Sequence, residues 1–233
     1  MATGSICVLV SGGLDSDVLL AEAAARYRQV WPVYIRQGLA WEKAELYWLR
    51  RFLKKLQAQG SRQHLRAYSL QPRATIKPLR VFSVPMADLY GAHWSTGRKP
   101  IPGARTRDQA VYLPGRNIVL SVKAAVFAAM KKIPRLALAS LDHNPFPDAS
   151  SDFFKAWGKA LRRGLGTPLQ VIAPYRKLSK REVLRRGKHL ALHLSFSCLA
   201  PQGKFHCGTC HKCAERRRAF REAGVADRTH YAR

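Results

Sequence analysis

Apolar and polar positions along the chain change period several times, and the changes mark out alternating strands and helices. Residues 6–10, ICVLV, form an unbroken apolar run that stops at Ser11-Gly12-Gly13, as a buried strand does before a tight turn. Asp15 to Tyr27 then repeats apolar residues at helical spacing through an alanine-rich stretch. VWPVYI (30–35) reads as a second strand, Trp41 to Gln59 as a long amphipathic helix, and LRAYSL (65–70) as a third strand. Pro72 to Pro114 is rich in proline and glycine and poor in periodic apolar positions, which predicts a long loop or lid. Regular pattern resumes with a helix over Asn117–Lys132, a strand at LALAS (136–140), a helix over Ser151–Arg163 and a strand at LQVIA (169–173). Ser179, with Glu182 three residues on, has the form of a capping box opening a helix that runs to about Leu192. Strands alternating with helices predict an α/β fold with an open, mostly parallel, doubly wound sheet. The last forty residues break the pattern. They hold four of the five cysteines and an Arg-rich helical stretch, and suggest a small metal-organised knob over 196–233 attached to a sheet domain over 1–195.

Length and composition add limits to this outline. A chain of 233 residues, 47% of them hydrophobic, buries one substantial core. No segment approaches the roughly 18 apolar residues of a spanning helix, and MATGSICVLV lacks a basic leader, so a cytoplasmic protein without a membrane partner is expected. The formal charge of +27 favours phosphate-rich partners, nucleotide or nucleic acid alike.

Candidate chemistry concentrates at two places. Ser11-Gly12-Gly13-Leu14-Asp15-Ser16 lies between the first strand and the first helix. Two glycines let backbone wrap a pyrophosphate while helix-start amides donate to it. The motif lacks the Gly-Lys-Ser/Thr of a Walker loop and the spacing of a dinucleotide loop, so it is a different phosphate loop. Asp15 is suited to act through Mg²⁺, and Ser11 and Ser16 to donate to phosphate oxygens. Asp17 adds a second carboxylate to the first turn, turned from the ligand or toward the metal. At the other end, Cys207-x-x-Cys210-x-x-Cys213 with Cys198 upstream offers four thiolates to one ion. Iron–sulfur proteins also use cysteines at two-residue gaps, so spacing alone leaves zinc and a cluster both open. His206 and His211 flank the ligands, and Cys7 in the first strand reads as a buried thiol.

The Ser-Gly-Gly-Leu-Asp-Ser loop, then Leu113-Pro114-Gly115-Arg116-Asn117, then Pro147-Asp148, then the four-cysteine tail ending Cys213-x-x-Arg216, occur in that order. Together they resemble the 7-cyano-7-deazaguanine synthase family of the PP-loop ATP pyrophosphatases, over nearly the whole chain. The resemblance implies an adenine nucleotide alpha hydrolase-like fold and an ATP-dependent carbon–nitrogen ligase of the queuosine pathway. The carboxylate of 7-carboxy-7-deazaguanine would be adenylated, ammonia would displace AMP, and a second activation would turn the amide into the nitrile. It places ATP along Val10, Ser11, Gly12, Gly13, Leu14, Asp15, Ser16, Asp17, Val18, Leu19 and Leu20. Asp15, Ser16 and Arg116 become the catalytic candidates, and Gln37, Arg116, Asn117 and Asp148 the substrate candidates, with ATP, Mg²⁺ and one structural Zn²⁺ as cofactors. A homodimer fits the family as well. The chain departs from the family pattern where Ala149-Ser150 replaces Cys-Arg, and where only Tyr34 and Gln37 remain of a Tyr-Gly-Gln-x-His stretch, with Trp41 available to stack on a base. Two other readings share these residues: a PP-loop enzyme acting on tRNA, and a non-catalytic zinc protein that binds nucleic acid.

Overall fold

The computed structural model describes residues 4–64, 74–142 and 144–233, with backbone alone over 59–64. The elements run β1 (Ser5–Leu9), α1 (Leu14–Arg26), β2 (Gln29–Arg36), α2 (Glu42–His64), β3 (Thr75–Ile76), β4 (Arg80–Ser83), α3 (Ala87–Tyr90), α4 (Arg116–Met130), β5 (Arg135–Ala137), α5 (Ser151–Leu165), β6 (Gln170–Ile172), α6 (Lys180–Arg186) and α7 (His211–Ala223). Short 3₁₀ turns fill several of the connections. All strand pairs are parallel, in the order β3-β2-β1-β5-β6. β3 pairs with Gln29 and Val30 and β4 with Val33 through Arg36, so the two form one interrupted edge strand along β2.

Alternation along the central strand builds the core on both faces. Ile6 and Val8 point into one apolar cluster with α1, α2, α6 and α7, whereas Cys7 and Leu9 point into another with α4 and α5. Burial leaves the Cys7 thiol fully covered and pushes its pKa up, as an inert structural thiol requires. α7, from the cysteine-rich end, sets Ala219, Phe220 and Ala223 into the same cluster as β1. The tail is thus joined to the main core by shared packing.

Two expectations need correction. The segment 72–114 is not one loop: from Thr75 on it holds β3, β4, α3 and two 3₁₀ turns, because β2 offers a free edge on which even very short strands can pair. The helix opened by Ser179 ends at Arg186 instead of running to Leu192, and a 3₁₀ turn at Leu192–Leu194 follows. Its capping box is present: Glu182 N donates to Ser179 Oγ (3.3 Å) and Ser179 N to Glu182 Oε2 (2.7 Å). The strand expected at 65–70 lies outside the described residues.

The close approach of α1 and α6 depends on a missing side chain. A Cβ at Gly187 would collide with Val18 Cγ2, although the backbone there has an ordinary negative φ. Gly187→Ala should therefore destabilise the fold by about 1–3 kcal/mol in urea unfolding. Combining it with Val18→Ala should cost less than the sum of the two changes; additive costs would show that the helices do not meet there.

Candidate active site

β1 delivers the chain to a turn that the two glycines make possible. Gly12 adopts φ 71°, and a Cβ there would sit 3.2 Å from both the Glu45 carbonyl oxygen and Leu49 Cβ. Glycine lets the turn lie against α2. Ser11 N donates to Ser16 Oγ (3.2 Å), Ser16 Oγ donates to Gly13 O (3.0 Å), and Gly13 N donates to Ser11 Oγ (3.3 Å), which closes the turn on itself. Gly13 is the N-cap of α1 and offers no side-chain acceptor, so the amides of the first turn stay open at the positive end of the helix.

That helix start borders a cavity of about 290 Å³. Leu9 and Val10 at the end of β1 and Leu138 to Ser140 after β5 form its floor, so it lies at the carboxyl ends of the two strands where the winding reverses. Arg116 and Asn117 from α4, Glu42 and Glu45 from α2, and Lys180 and Lys212 line its sides, and Phe196 to Leu199 close it. Lys180 Nζ lies 3.1 Å from Asp15 Oδ2 and 2.8 Å from Glu215 Oε1, and Lys212 Nζ lies 2.5 Å from Glu215 Oε2. Burial acts to lower the pKa of Lys180, but the carboxylates of Asp15 and Glu215 override it and hold the ammonium charged. Burial likewise acts to raise Glu215, and the two lysines hold it below its ordinary range. Asp15 Oδ1 is buried without a hydrogen-bond partner. One free carboxylate oxygen beside open amides would suit a hard divalent cation.

Opposite the helix start, Arg116 Nε donates to Gln37 Oε1 (3.3 Å), while the amides of Gln37 and Gly38 both donate to Glu42 Oε1. Glu42 thereby sets the loop after β2, and Gln37 aims the guanidinium. Tyr34 OH donates to Glu45 Oε2 (2.6 Å). Burial lifts Glu45 to about 7, with Arg116 and the Tyr34 hydroxyl pulling down less strongly.

Of the residues singled out in the sequence, Val10, Ser11, Gly13, Leu14, Asp15, Ser16, Tyr34, Trp41, Arg116, Asn117 and Cys198 line the cavity. Val18, Leu19 and Leu20 pack into the core instead, and Gly12 supports the turn from behind. Asp17 is fully buried; burial raises its pKa and the Arg216 guanidinium works against that rise, so its carboxyl belongs to the interior and not to the ligand side. Asp148 Oδ2 accepts from Asn117 N (2.8 Å) and its carbonyl accepts from Asn117 Nδ2 (3.1 Å), which caps α4. Ser150 caps α5, accepting from Phe153 N (3.1 Å), so the Ala149-Ser150 departure serves local structure. Trp41 stacks on Trp94 with ring centroids 5.7 Å apart. Lys180, Lys212 and Glu45 emerge as site residues only from the folded chain.

The four cysteines form a metal-binding group: their sulfurs all lie within 4.8 Å of one another and all four residues are buried. The separations of 3.9 Å for Cys207–Cys213, 3.9 Å for Cys198–Cys210 and 3.5 Å for Cys210–Cys213 match the roughly 3.8 Å that tetrahedral thiolates keep around one ion at about 2.3 Å. Backbone amides of Leu199, Cys207, Thr209 and Cys210 point at the sulfurs at 3.3–3.4 Å, as thiolates require. His206 accepts from Ser197 N at Nε2 (3.0 Å), and His211 Nε2 pairs with Asp108 (3.0 Å), so both histidines support the group without ligating it.

Comparison with known proteins agrees with this geometry. The family described as queuosine biosynthesis protein QueC matches residues 5–224. A 7-cyano-7-deazaguanine synthase of Anaeromyxobacter dehalogenans is 31% identical over 241 residues, covering 97% of this chain and 95% of that protein. One of Leptospira interrogans is 28% identical over 231 residues, covering 95% and 88%. Among solved structures, a 4-thiouridine synthetase bound to RNA and ATP superposes with a TM-score of 0.49 and 15% identity over 95% of this chain and 50% of that one, a likeness too loose to say more.

The raised pKa of Glu45 makes stability depend on pH. A carboxyl held near 7 in the folded chain against an ordinary 4.5 favours folding below 4.5, and that advantage is lost as pH rises from 4.5 to 7. Its ceiling is on the order of 3 kcal/mol. Glu45→Gln should flatten the dependence of unfolding free energy over this window; an unchanged slope would mean that Glu45 titrates normally.

Proposed function

The chain belongs to the family of queuosine biosynthesis protein QueC, and on that premise we propose that it is an ATP-dependent ligase converting 7-carboxy-7-deazaguanine to the nitrile with ammonia. The observation that carries the reading is the uncapped start of α1, facing a cavity ringed by Arg116, Lys180 and Lys212. Triphosphate oxygens take the open amides of the first turn, and Lys180, already poised between two carboxylates, turns its ammonium to the departing pyrophosphate. Mg²⁺, held through the unpartnered oxygen of Asp15, would offset charge on that pyrophosphate.

Arg116 is the residue for the acceptor. Its guanidinium, aimed by Gln37, orients the substrate carboxylate toward the α-phosphorus, and no arginine stands at 149–150 to share the task. A carboxylate oxygen attacks phosphorus and pyrophosphate leaves, giving the acyl adenylate. Ammonia then attacks the acyl carbon and AMP departs with that oxygen, leaving the amide. In the second round the amide oxygen takes AMP from another ATP, and loss of AMP with the amide protons gives the nitrile. Glu45, with a pKa near neutrality and a place on the cavity wall, is suited to take a proton released on amide formation. A substrate made and used alongside ATP supports a cytoplasmic location for the enzyme; no helix among the described residues is long and apolar enough to cross a membrane.

The four cysteines would hold one Zn²⁺. Sulfurs that all lie within 4.8 Å of one another support this reading, since an iron–sulfur cluster spreads its thiolates over separate irons. With four sulfurs around it such an ion would have no open position, and would order the wall formed by Phe196 to Leu199 without acting on substrate.

Asp15→Ala should reduce pyrophosphate release with ATP, ammonia and 7-carboxy-7-deazaguanine to background while the melting temperature holds, and Lys180→Met should lower kcat/KM by about 10²-fold. Undiminished turnover in either would remove the site. Elemental analysis should find one zinc per chain, and Cys210→Ser should lose zinc and thermal stability together; iron with labile sulfide would contradict the assignment.

A further inference from the structure

Away from the cavity, α2 turns a second face outward. From Tyr47 to Lys55 it carries Arg50, Arg51, Lys54 and Lys55 with no acidic residue, and 188–213 has none either. The fold brings these stretches together. Trp48 Nε1 donates to the Lys204 carbonyl oxygen (2.5 Å), and the Lys204 ammonium lies 5.0 Å from the Tyr47 ring centroid and 5.7 Å from that of Phe205. The Arg51 guanidinium lies 5.6 Å from both the Tyr47 and Trp48 rings. Phe205 in turn packs on His230 at 4.6 Å. His193 sits in the same field: burial first, then the charges of Arg228, Lys55 and Arg51, hold its pKa below the ordinary value.

Among the described residues this surface interleaves cations with half-buried rings, and Asp227, beside Arg228 in sequence, has its carboxylate engaged by Thr229 N and Tyr231 OH. We propose that this face binds a single strand of nucleic acid, with phosphates on the cations and bases against the rings. The cations alone would suit any polyanion, but the rings distinguish the partner. Every base has a π-face, so aromatic side chains set among lysine and arginine give a strand both of its contacts without reading its sequence. A membrane surface fits less well, because the exposed large apolar side chains lie elsewhere, on β4, α3 and α4, and none stands on this face to insert among lipids. The charge of +27 adds long-range steering; Lys77 on Trp31 and Arg135 on Tyr27 are single cation–ring pairs, whereas this face gathers Arg51 and Lys204 over Tyr47, Trp48 and Phe205. The first turn of α2 lines the cavity and its next turns form this face, so the two sites adjoin without sharing Arg51, Lys55 or Lys204.

The test is fluorescence anisotropy of the metal-loaded full chain with labelled oligouridylate, oligodeoxythymidylate and a duplex of equal length, over a range of salt. Arg51→Glu/Lys55→Glu/Lys204→Glu should weaken single-strand binding at least about tenfold, and reduce the slope of log affinity against log salt by about 2. Lys159→Glu/Arg162→Glu/Arg163→Glu, with the same change in charge on exposed positions of α5, should stay within about threefold of the parent. Tyr47→Ala should weaken single-strand binding at least about fivefold with little effect on the duplex. If the triple glutamate variant melts early, Arg51→Gln/Lys204→Gln replaces it with the same expected direction. Equal losses in the two charge-matched variants would overturn the proposal in favour of a diffuse field. So would tighter binding to phosphatidylserine vesicles than to the oligonucleotides, an unaffected Tyr47→Ala, or no binding by the parent protein.

Discussion

A helix that starts without a side-chain cap has donors that must be satisfied from outside, and at α1 that requirement falls at the floor of a cavity. The rest of the structure answers to this one condition. β1 runs between β2 and β5 so that its carboxyl end opens where the winding reverses, and Gly12 and Gly13 remove the side chains that would fill the turn. Ser11 and Ser16 spend their hydrogen bonds on holding the turn shut, which leaves backbone amides as the donors facing outward. Preorganised donors of this kind stabilise charge without reorganising when it develops.

The metal group and the buried arginine extend the same scaffold. Arg216 is almost wholly buried, donates to Ser195, Ser197, the Leu192 carbonyl and Thr229, and faces Asp17 in charge. It therefore ties the far side of α1 to the segment that leads into Cys198. Phe196 N donates to Gly12 O (2.6 Å), which joins that segment to the glycine turn directly. The tail that carries the four cysteines thus braces the loop it neighbours.

Some of this was legible in the residues alone. β1, the glycine turn and α1 are contiguous, so their signals reinforce one another, and the four cysteines declare themselves by spacing. The Ser179 and Glu182 box marked the start of α6 for the same reason. The edge strands β3 and β4 were hidden, because two and four residues against one neighbour leave no periodicity to read. Lys180 was hidden more deeply: it meets Asp15 across 165 positions, and only the packing of α6 on α1 brings them together. Asp17 shows the limit of local rules, since an acid in a first turn suits the helix dipole whether it faces ligand or core. Asp148 caps α4, a helix that precedes it in the chain by thirty-one positions, a contact no local rule reads.

The central claim is that the turn before α1 holds ATP so that AMP passes to an oxygen of the acceptor carboxylate. Following the fate of that oxygen tests it most directly. With 7-carboxy-7-deazaguanine carrying heavy oxygen in its carboxylate, mass spectrometry should find the label in the AMP released. Unlabelled AMP, or nitrile formed without AMP, would contradict the account.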